Sequence, residues 1–119
     1  MRAPGPEHPI TIAPAGQRVR VTFAGKIIAD TTRALKLEEA GYKPVFYIPR
    51  ADTDMDALSA TAHRTHCPYK GDASYFSISA GGRTTENAVW SYEQPFPAVG
   101  EIKDHLAFYP SRVDAIEAN

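Results

Sequence analysis

The chain has 119 residues, which is enough for one domain with a hydrophobic core and too few for two domains of ordinary size. Its formal net charge is −1, so bulk charge favours neither nucleic acid nor an anionic membrane surface as a partner. A single cysteine excludes an internal disulfide and fits a cytoplasmic setting, and no apolar run approaches the roughly 18 residues of a membrane span.

The first residues are predicted to be a flexible lead-in. Residues 1–9 contain three prolines and a glycine, and they lack the apolar stretch of a signal peptide. We expect the fold to begin near Ile10, so that residues 1–8 form the lead-in and residues 9–119 form a single β-rich domain.

The first half of the domain shows strand patterns separated by turn signals. Residues 17–23 alternate polar and apolar side chains, which predicts a half-buried strand. Ala24-Gly25 can turn the chain into a second strand over residues 26–31. A short strand is predicted around residues 35–37, and the aromatic and β-branched residues 44–48 predict a strand buried on both faces.

The second half is predicted to be mostly strand as well. A short helix is expected over residues 52–60, capped by an aspartate. Strands are predicted at 73–80 and 83–92 around a Gly81-Gly82 hairpin turn, and at 105–109. Residues 99–102 fit a brief helical turn, and residues 111–118 are left open between helix and strand. The pattern predicts about seven strands and at most three short helices, a mainly antiparallel β fold.

The segment from His63 to Asp72 concentrates the residue types that carry chemistry. It holds the only cysteine, two histidines, a lysine and an aspartate within ten residues. Pro68 restricts Cys67 to extended geometry, and in an extended chain His63 shares a face with the thiol whereas His66 lies opposite. Lys70 is close enough in sequence to favour the thiolate, which is a nucleophile and a soft metal ligand.

Plainer interpretations of the same segment stand beside this one. A lone cysteine is commonly a small buried hydrophobe. Lys70, Gly71 and Asp72 also fit a turn before a strand, with the glycine at positive φ. A metal site from His63, His66 and Cys67 is a minor alternative, because the paired cysteines typical of zinc sites are missing. We expect no metal and no cofactor.

Three residues outside this segment complete the predicted site. Arg50 follows a buried strand, where a cation can bind a carboxylate or a phosphate, although solvation is the default for a surface arginine. Trp90 and Tyr92 share one face of a strand and can wall a ligand site, although core packing is the commoner use of such residues.

Several blocks of the chain also carry a resemblance to a known family. The most specific block is Cys67-Pro68 followed by Lys70-Gly71, and the full set covers residues 8–12, 18–21, 29–35, 41–50, 65–75, 88–93 and 105–109. On these blocks the chain resembles the small bacterial family named domain of unknown function 427. The resemblance implies a rolled antiparallel sheet of the β-tent, Mss4-like kind. That family sometimes carries a nucleotidyltransferase label, but this sequence shows no carboxylate pair for magnesium.

Two functions are compatible with these observations. The first is a domain that binds an anionic small molecule in a pocket lined by Arg50, Cys67, Lys70, Trp90 and Tyr92, with His63, His66 and Asp72 nearby. Cys67 and Lys70 would be the catalytic residues if the domain is an enzyme. The second is a non-catalytic interaction module in which the same residues pack and form turns. Neither function involves nucleic acid or membrane, and a homo-oligomer is left open.

Overall fold

A computed structural model describes residues 2–119 and contains ten β-strands joined by short 3-10 helices. The strands are β1 (Ile10–Pro14), β2 (Val19–Phe23), β3 (Lys26–Thr31), β4 (Leu35–Glu39), β5 (Val45–Tyr47), β6 (Leu58–Cys67), β7 (Gly71–Ala80), β8 (Arg83–Ser91), β9 (Ala107–Phe108) and β10 (Ala115–Ala118). The 3-10 helices are Arg50–Asp52, Met55–Ala57, Pro97–Ile102 and Pro110–Arg112. No helix within residues 2–119 is long and apolar enough to cross a bilayer.

The strands form three antiparallel sheets. Their orders are β1-β4-β5, β10-β2-β3 and β6-β7-β8-β9. The predicted mainly antiparallel β fold with a few short helices is therefore confirmed. The narrower assignment to the β-tent kind stays an expectation.

Two tight hairpin turns, both predicted from the sequence, meet at their tips. Ala24 and Gly25 have φ values of 52° and 76°, and Gly81 and Gly82 have 58° and 75°. Positive φ at both central residues is the turn geometry that matches the twist of the flanking strands. A Cβ placed on Gly81 would lie 3.0 Å from the carbonyl oxygen of Ala24, so the two tips leave no room for a side chain there.

The predicted helix over residues 52–60 is wrong. Only Met55–Ala57 forms a 3-10 turn, and β6 begins at Leu58 and runs antiparallel to β7. The pairing with β7 outweighs the weak local signals for a helix, which is the usual way tertiary context overrides propensity. Two other strands were not predicted from the sequence. β1 pairs with β4, and β10, which pairs with β2, lies in residues 111–118, which were left open between helix and strand.

The apolar side chains form two clusters on either side of the four-stranded sheet. In β7, Phe76 and Ile78 belong to the cluster that includes β2 and β3. Ala73 and Tyr75 belong to the cluster that includes Leu37 of β4 and Tyr47 of β5. Because successive residues of a strand point to opposite faces, β7 supports both clusters. The second cluster surrounds the candidate site.

Candidate functional site

A cavity of about 340 Å³ opens between the β1-β4-β5 sheet and the four-stranded sheet. Its walls are dominated by five buried or half-buried aromatic side chains: Tyr47, Tyr75, Trp90, Tyr92 and Tyr109. Trp90 meets Tyr47 edge-on at a centroid distance of 6.4 Å and lies 4.4 Å from Tyr109. The remaining lining residues are the aliphatic Leu37 and Val45, and the polar Glu39, Tyr42, Lys43, Cys67 and Lys70.

Cys67 is the last residue of β6, and its half-buried side chain lines the cavity. The alternation predicted for this segment holds, because His63 and Thr65 approach Tyr75, which is another residue of the cavity wall. The His63 ring lies edge-on at 4.5 Å from the Tyr75 ring, and the hydroxyls of Thr65 and Tyr75 are 2.9 Å apart. The thiol therefore faces an aromatic chamber.

Lys70 lies in the turn between β6 and β7 and forms a buried ion pair. Its Nζ donates to Oε1 of Glu39 at 2.5 Å, and each side chain is only 10% exposed. Gly71 makes the turn possible with a φ of 111°, a conformation that favours glycine. The Lys70 ammonium is therefore held by a carboxylate and is not free in solvent.

The second oxygen of Glu39 is held by His8, which lies close to the start of the fold. Its Nε2 is 2.6 Å from Oε2 of Glu39, and its ring stacks on Tyr69 with centroids 3.8 Å apart. Burial alone would raise the pKa of Glu39, but the hydrogen bonds from Lys70 and His8 outweigh burial and hold that pKa below its usual value. The Glu39 carboxylate is thus charged and fully engaged.

The tyrosine hydroxyls around the cavity differ in how they are paired. The Nε1 of Trp90 donates to the Tyr47 hydroxyl at 3.3 Å, and the Tyr75 and Tyr109 hydroxyls are 3.2 Å apart. Tyr92 is 6% exposed and lines the cavity, yet its hydroxyl contacts no hydrogen-bond partner in residues 2–119. Burial raises the pKa of Tyr47 and Tyr92 well above the usual value for a tyrosine, and it raises the pKa of Tyr109 to about 12. All three stay protonated at neutral pH.

Arg50 does not line this cavity, contrary to the sequence-based expectation. Its guanidinium donates to the backbone oxygen of Asp104 at 2.7 Å, to Ser91 Oγ at 3.2 Å and to Glu93 Oε2 at 2.9 Å. It also lies 5.4 Å from the centre of the Phe76 ring. Arg50 therefore ties the segment after β5 to the end of β8, and a ligand-binding role for it stays a prediction.

His66 and Asp72 lie on the opposite face of β6 and β7, in an open groove. His66 Nδ1 is 2.7 Å from Asp72 Oδ1, with side chains 59% and 80% exposed. Ser74 donates to Glu93 at 2.8 Å in the same groove, which also includes Arg64. The predicted residues thus divide between two faces: Cys67, Lys70, Trp90 and Tyr92 line the cavity, whereas His66 and Asp72 line the groove. Across residues 2–119, no three His, Cys, Asp or Glu side chains are grouped closely enough to hold a metal.

Glu39, His8, Tyr47, Tyr75 and Tyr109 were not singled out from the sequence as site residues. The tyrosines could have been considered as site residues, because Tyr47 and Tyr75 lie in predicted strands and the chain has six tyrosines. Glu39 and His8 had none. Each reaches the site only through the pairing of β4 with β1 and the packing of that sheet against the β6–β7 turn.

The amino-acid sequence of this chain also matches a known protein family. A family model described as a domain of unknown function (DUF427) matches residues 11–119, and its short label is that of a nucleotidyltransferase. No curated protein matches the chain.

Proposed function

Because the chain belongs to the DUF427 family, whose description assigns no activity, we propose a function from the geometry alone: this domain binds a small molecule in the aromatic cavity. The observation that carries the proposal is the convergence of Cys67, Lys70, Trp90 and Tyr92 on one concave space. Ligand sites typically have volumes of roughly 300–1,000 Å³ and combine apolar walls with a few polar groups. The cavity fits both criteria.

The nucleotidyltransferase label receives no support from the cavity. Magnesium-assisted phosphoryl transfer uses clustered carboxylates to hold the metal. In the described part of the chain, residues 2–119, Glu39 is the only carboxylate that lines the cavity, and both of its oxygens are bound by other side chains. We therefore do not extend the proposal to nucleotide chemistry.

An enzymatic role depends on Cys67. The thiol opens on the cavity and makes no hydrogen bond within residues 2–119, which leaves it available to an electrophilic ligand. The test is alkylation of the native protein by iodoacetamide. Labelling of the folded protein, slowed by any compound that fills the cavity, supports a reactive site. Labelling only after unfolding makes Cys67 a packing residue and favours the interaction module.

Binding itself is tested with a small panel of aromatic probes. Trp90 is the only tryptophan and lines the cavity, so its fluorescence reports on occupancy. We expect a saturable fluorescence change with at least one of benzoate, benzylamine, toluene and phenol. The variant Val45→Phe fills part of the cavity and should abolish the change. The matched control is Ile27→Phe, at a surface position that is 48% exposed.

Two results would overturn the proposal. One is that no probe changes the fluorescence of Trp90 or the NMR signals of the cavity residues. The other is that Val45→Phe and Ile27→Phe behave alike in properly folded protein. Either result leaves the interaction module as the better description of the domain.

A further inference from the structure

The hydrogen-bond inventory of the cavity is dominated by unused donors. Tyr47 accepts a hydrogen bond from Trp90, but its own O–H has no acceptor within residues 2–119. The Tyr92 hydroxyl makes no hydrogen bond within residues 2–119, although the residue as a whole is only 6% exposed. Lys70 carries three N–H donors, and only one is needed for Glu39. Burial keeps the pKa of both tyrosines high, so they remain donors across the physiological range.

Within residues 2–119, no carboxylate with a free oxygen lines the cavity. Among residues 2–119, Glu39 is its only carboxylate, with Oε1 bound by Lys70 and Oε2 bound by His8. Lys43 also lines the cavity and makes no ion pair within residues 2–119. Two ammonium groups thus stand against one carboxylate. A cationic ligand would find no unpaired carboxylate there, whereas an anionic ligand finds a positive surplus and several donors.

The shape of the walls adds a constraint on the body of the ligand. Trp90 and Tyr109 lie 4.4 Å apart with their planes tilted by 43°, and Tyr47 stands at 89° to Trp90. A ligand in the cavity would therefore meet the faces of some aromatic rings and the edges of others. A planar aromatic body can meet these by stacking and by edge-to-face contact, which contribute beyond simple area burial.

We propose that the ligand is a planar aromatic carboxylate, with its ring against Trp90 and its carboxylate accepting hydrogen bonds from Tyr92, Tyr47 and Lys70. This inference rests on the proposed function and names the ligand class of the same cavity. In this proposal Tyr92 binds the carboxylate through its hydroxyl, whereas Trp90 packs against the aromatic ring. The Tyr92 hydroxyl makes no hydrogen bond within residues 2–119 and is open to the cavity, so it is available to an acceptor on a ligand.

The test compares benzoate with two probes of similar shape, benzylamine and toluene, by titration of Trp90 fluorescence. Benzoate should bind at least tenfold more tightly than either. Tyr92→Phe removes only the hydroxyl, so it should weaken benzoate about tenfold or more, the usual effect of losing a hydrogen bond to a charged group. Toluene should bind this variant unchanged. The matched control is Tyr69→Phe, which removes a hydroxyl from a tyrosine that does not line the cavity.

The outcomes separate this inference from the proposed function. Absence of binding by every probe overturns both. Binding of benzylamine or toluene as tight as benzoate overturns the carboxylate alone, and so does a benzoate affinity that Tyr92→Phe leaves unchanged. If Tyr92→Phe does not fold, the comparison of the three probes on the natural protein and the effect of Tyr47→Phe on benzoate decide the matter.

Discussion

The two faces of the β6–β7 hairpin use similar polar groups in opposite ways. On the groove face, His66 and Asp72 form a close pair that is largely in solvent. On the cavity face, Lys70 and Glu39 form a close pair that is almost completely buried. The short distances are alike, but water screens the first pair and is excluded from the second.

The two pairs differ in what each side chain loses when its partner is removed. An exposed ion pair gains little, because each member is well solvated without the other. A buried pair makes each member depend on its partner, because either charge left alone would be uncompensated. Tyr92 differs from both pairs, because its hydroxyl opens on the cavity and makes no hydrogen bond within residues 2–119.

The largest effect should come from breaking the buried pair. Lys70→Ala leaves the Glu39 carboxylate with His8 as its only side-chain partner, and we expect a loss of about 3–5 kcal/mol in the free energy of unfolding. Urea denaturation measures it. The double variant Lys70→Met with Glu39→Gln is the control, because it removes both charges together and should lose less. Equal losses in the single and double variants would contradict the dependence of each charge on the other.

Arg50 should give an intermediate effect. It bridges the backbone of Asp104, the buried Ser91 and the Glu93 carboxylate, and lysine cannot reproduce these forked contacts. Arg50→Lys should lower the free energy of unfolding by about 1–3 kcal/mol. The affinity of a cavity ligand should be unchanged in the folded variant. A loss of affinity at full stability would instead assign Arg50 to the binding site.

Lowering the pH should reduce the contribution of Glu39 to the free energy of unfolding. Its pKa in the folded protein lies below the ordinary value of 4.5, so its stabilising effect is complete above that pH and falls as pH drops through the folded pKa. Urea denaturation of the natural protein and of Glu39→Gln over a pH series measures this effect as their difference. That difference should shrink on acidification. A difference independent of pH would mean that Glu39 acts through packing and not through charge.

The smallest effect should come from the groove. Asp72→Asn removes the charge from a side chain that is 80% exposed, and we expect a change of less than about 0.5 kcal/mol in the free energy of unfolding. Chemical denaturation at low and high salt checks it. A loss comparable to that of Lys70→Ala would erase the contrast between the two faces.

Local signals were sufficient for much of the fold. The alternation in residues 17–23 and the glycines of the two hairpin turns act over a few residues, so they predict β2, β3, β7 and β8 directly. The 52–60 helix failed because its capping and spacing signals are weak next to the pairing of β6 with a neighbouring strand. β1 was missed for a related reason, since its partner β4 lies more than twenty residues away.

The part of the candidate site that depends on local sequence could also be predicted. Cys67 and Lys70 are neighbours in one turn, and the alternation of β6 correctly separates Cys67 from His66. Glu39 lies 31 residues along the chain from both Lys70 and His8, so no local pattern could bring the three together. Arg50 was expected in the cavity and does not line it. Its position after a buried strand does not determine the direction in which its long side chain extends.

The abutting hairpin tips impose a limit on how this domain can be altered. Because the Gly81 and Ala24 turns meet without spare volume, lengthening either turn would force the other aside and separate the strands that depend on it. The crowding is confined to Gly81, because a side chain on the neighbouring Gly25 or Gly82 would meet nothing within 4 Å. At this one point, two turns that lie more than fifty residues apart in the sequence can change only together.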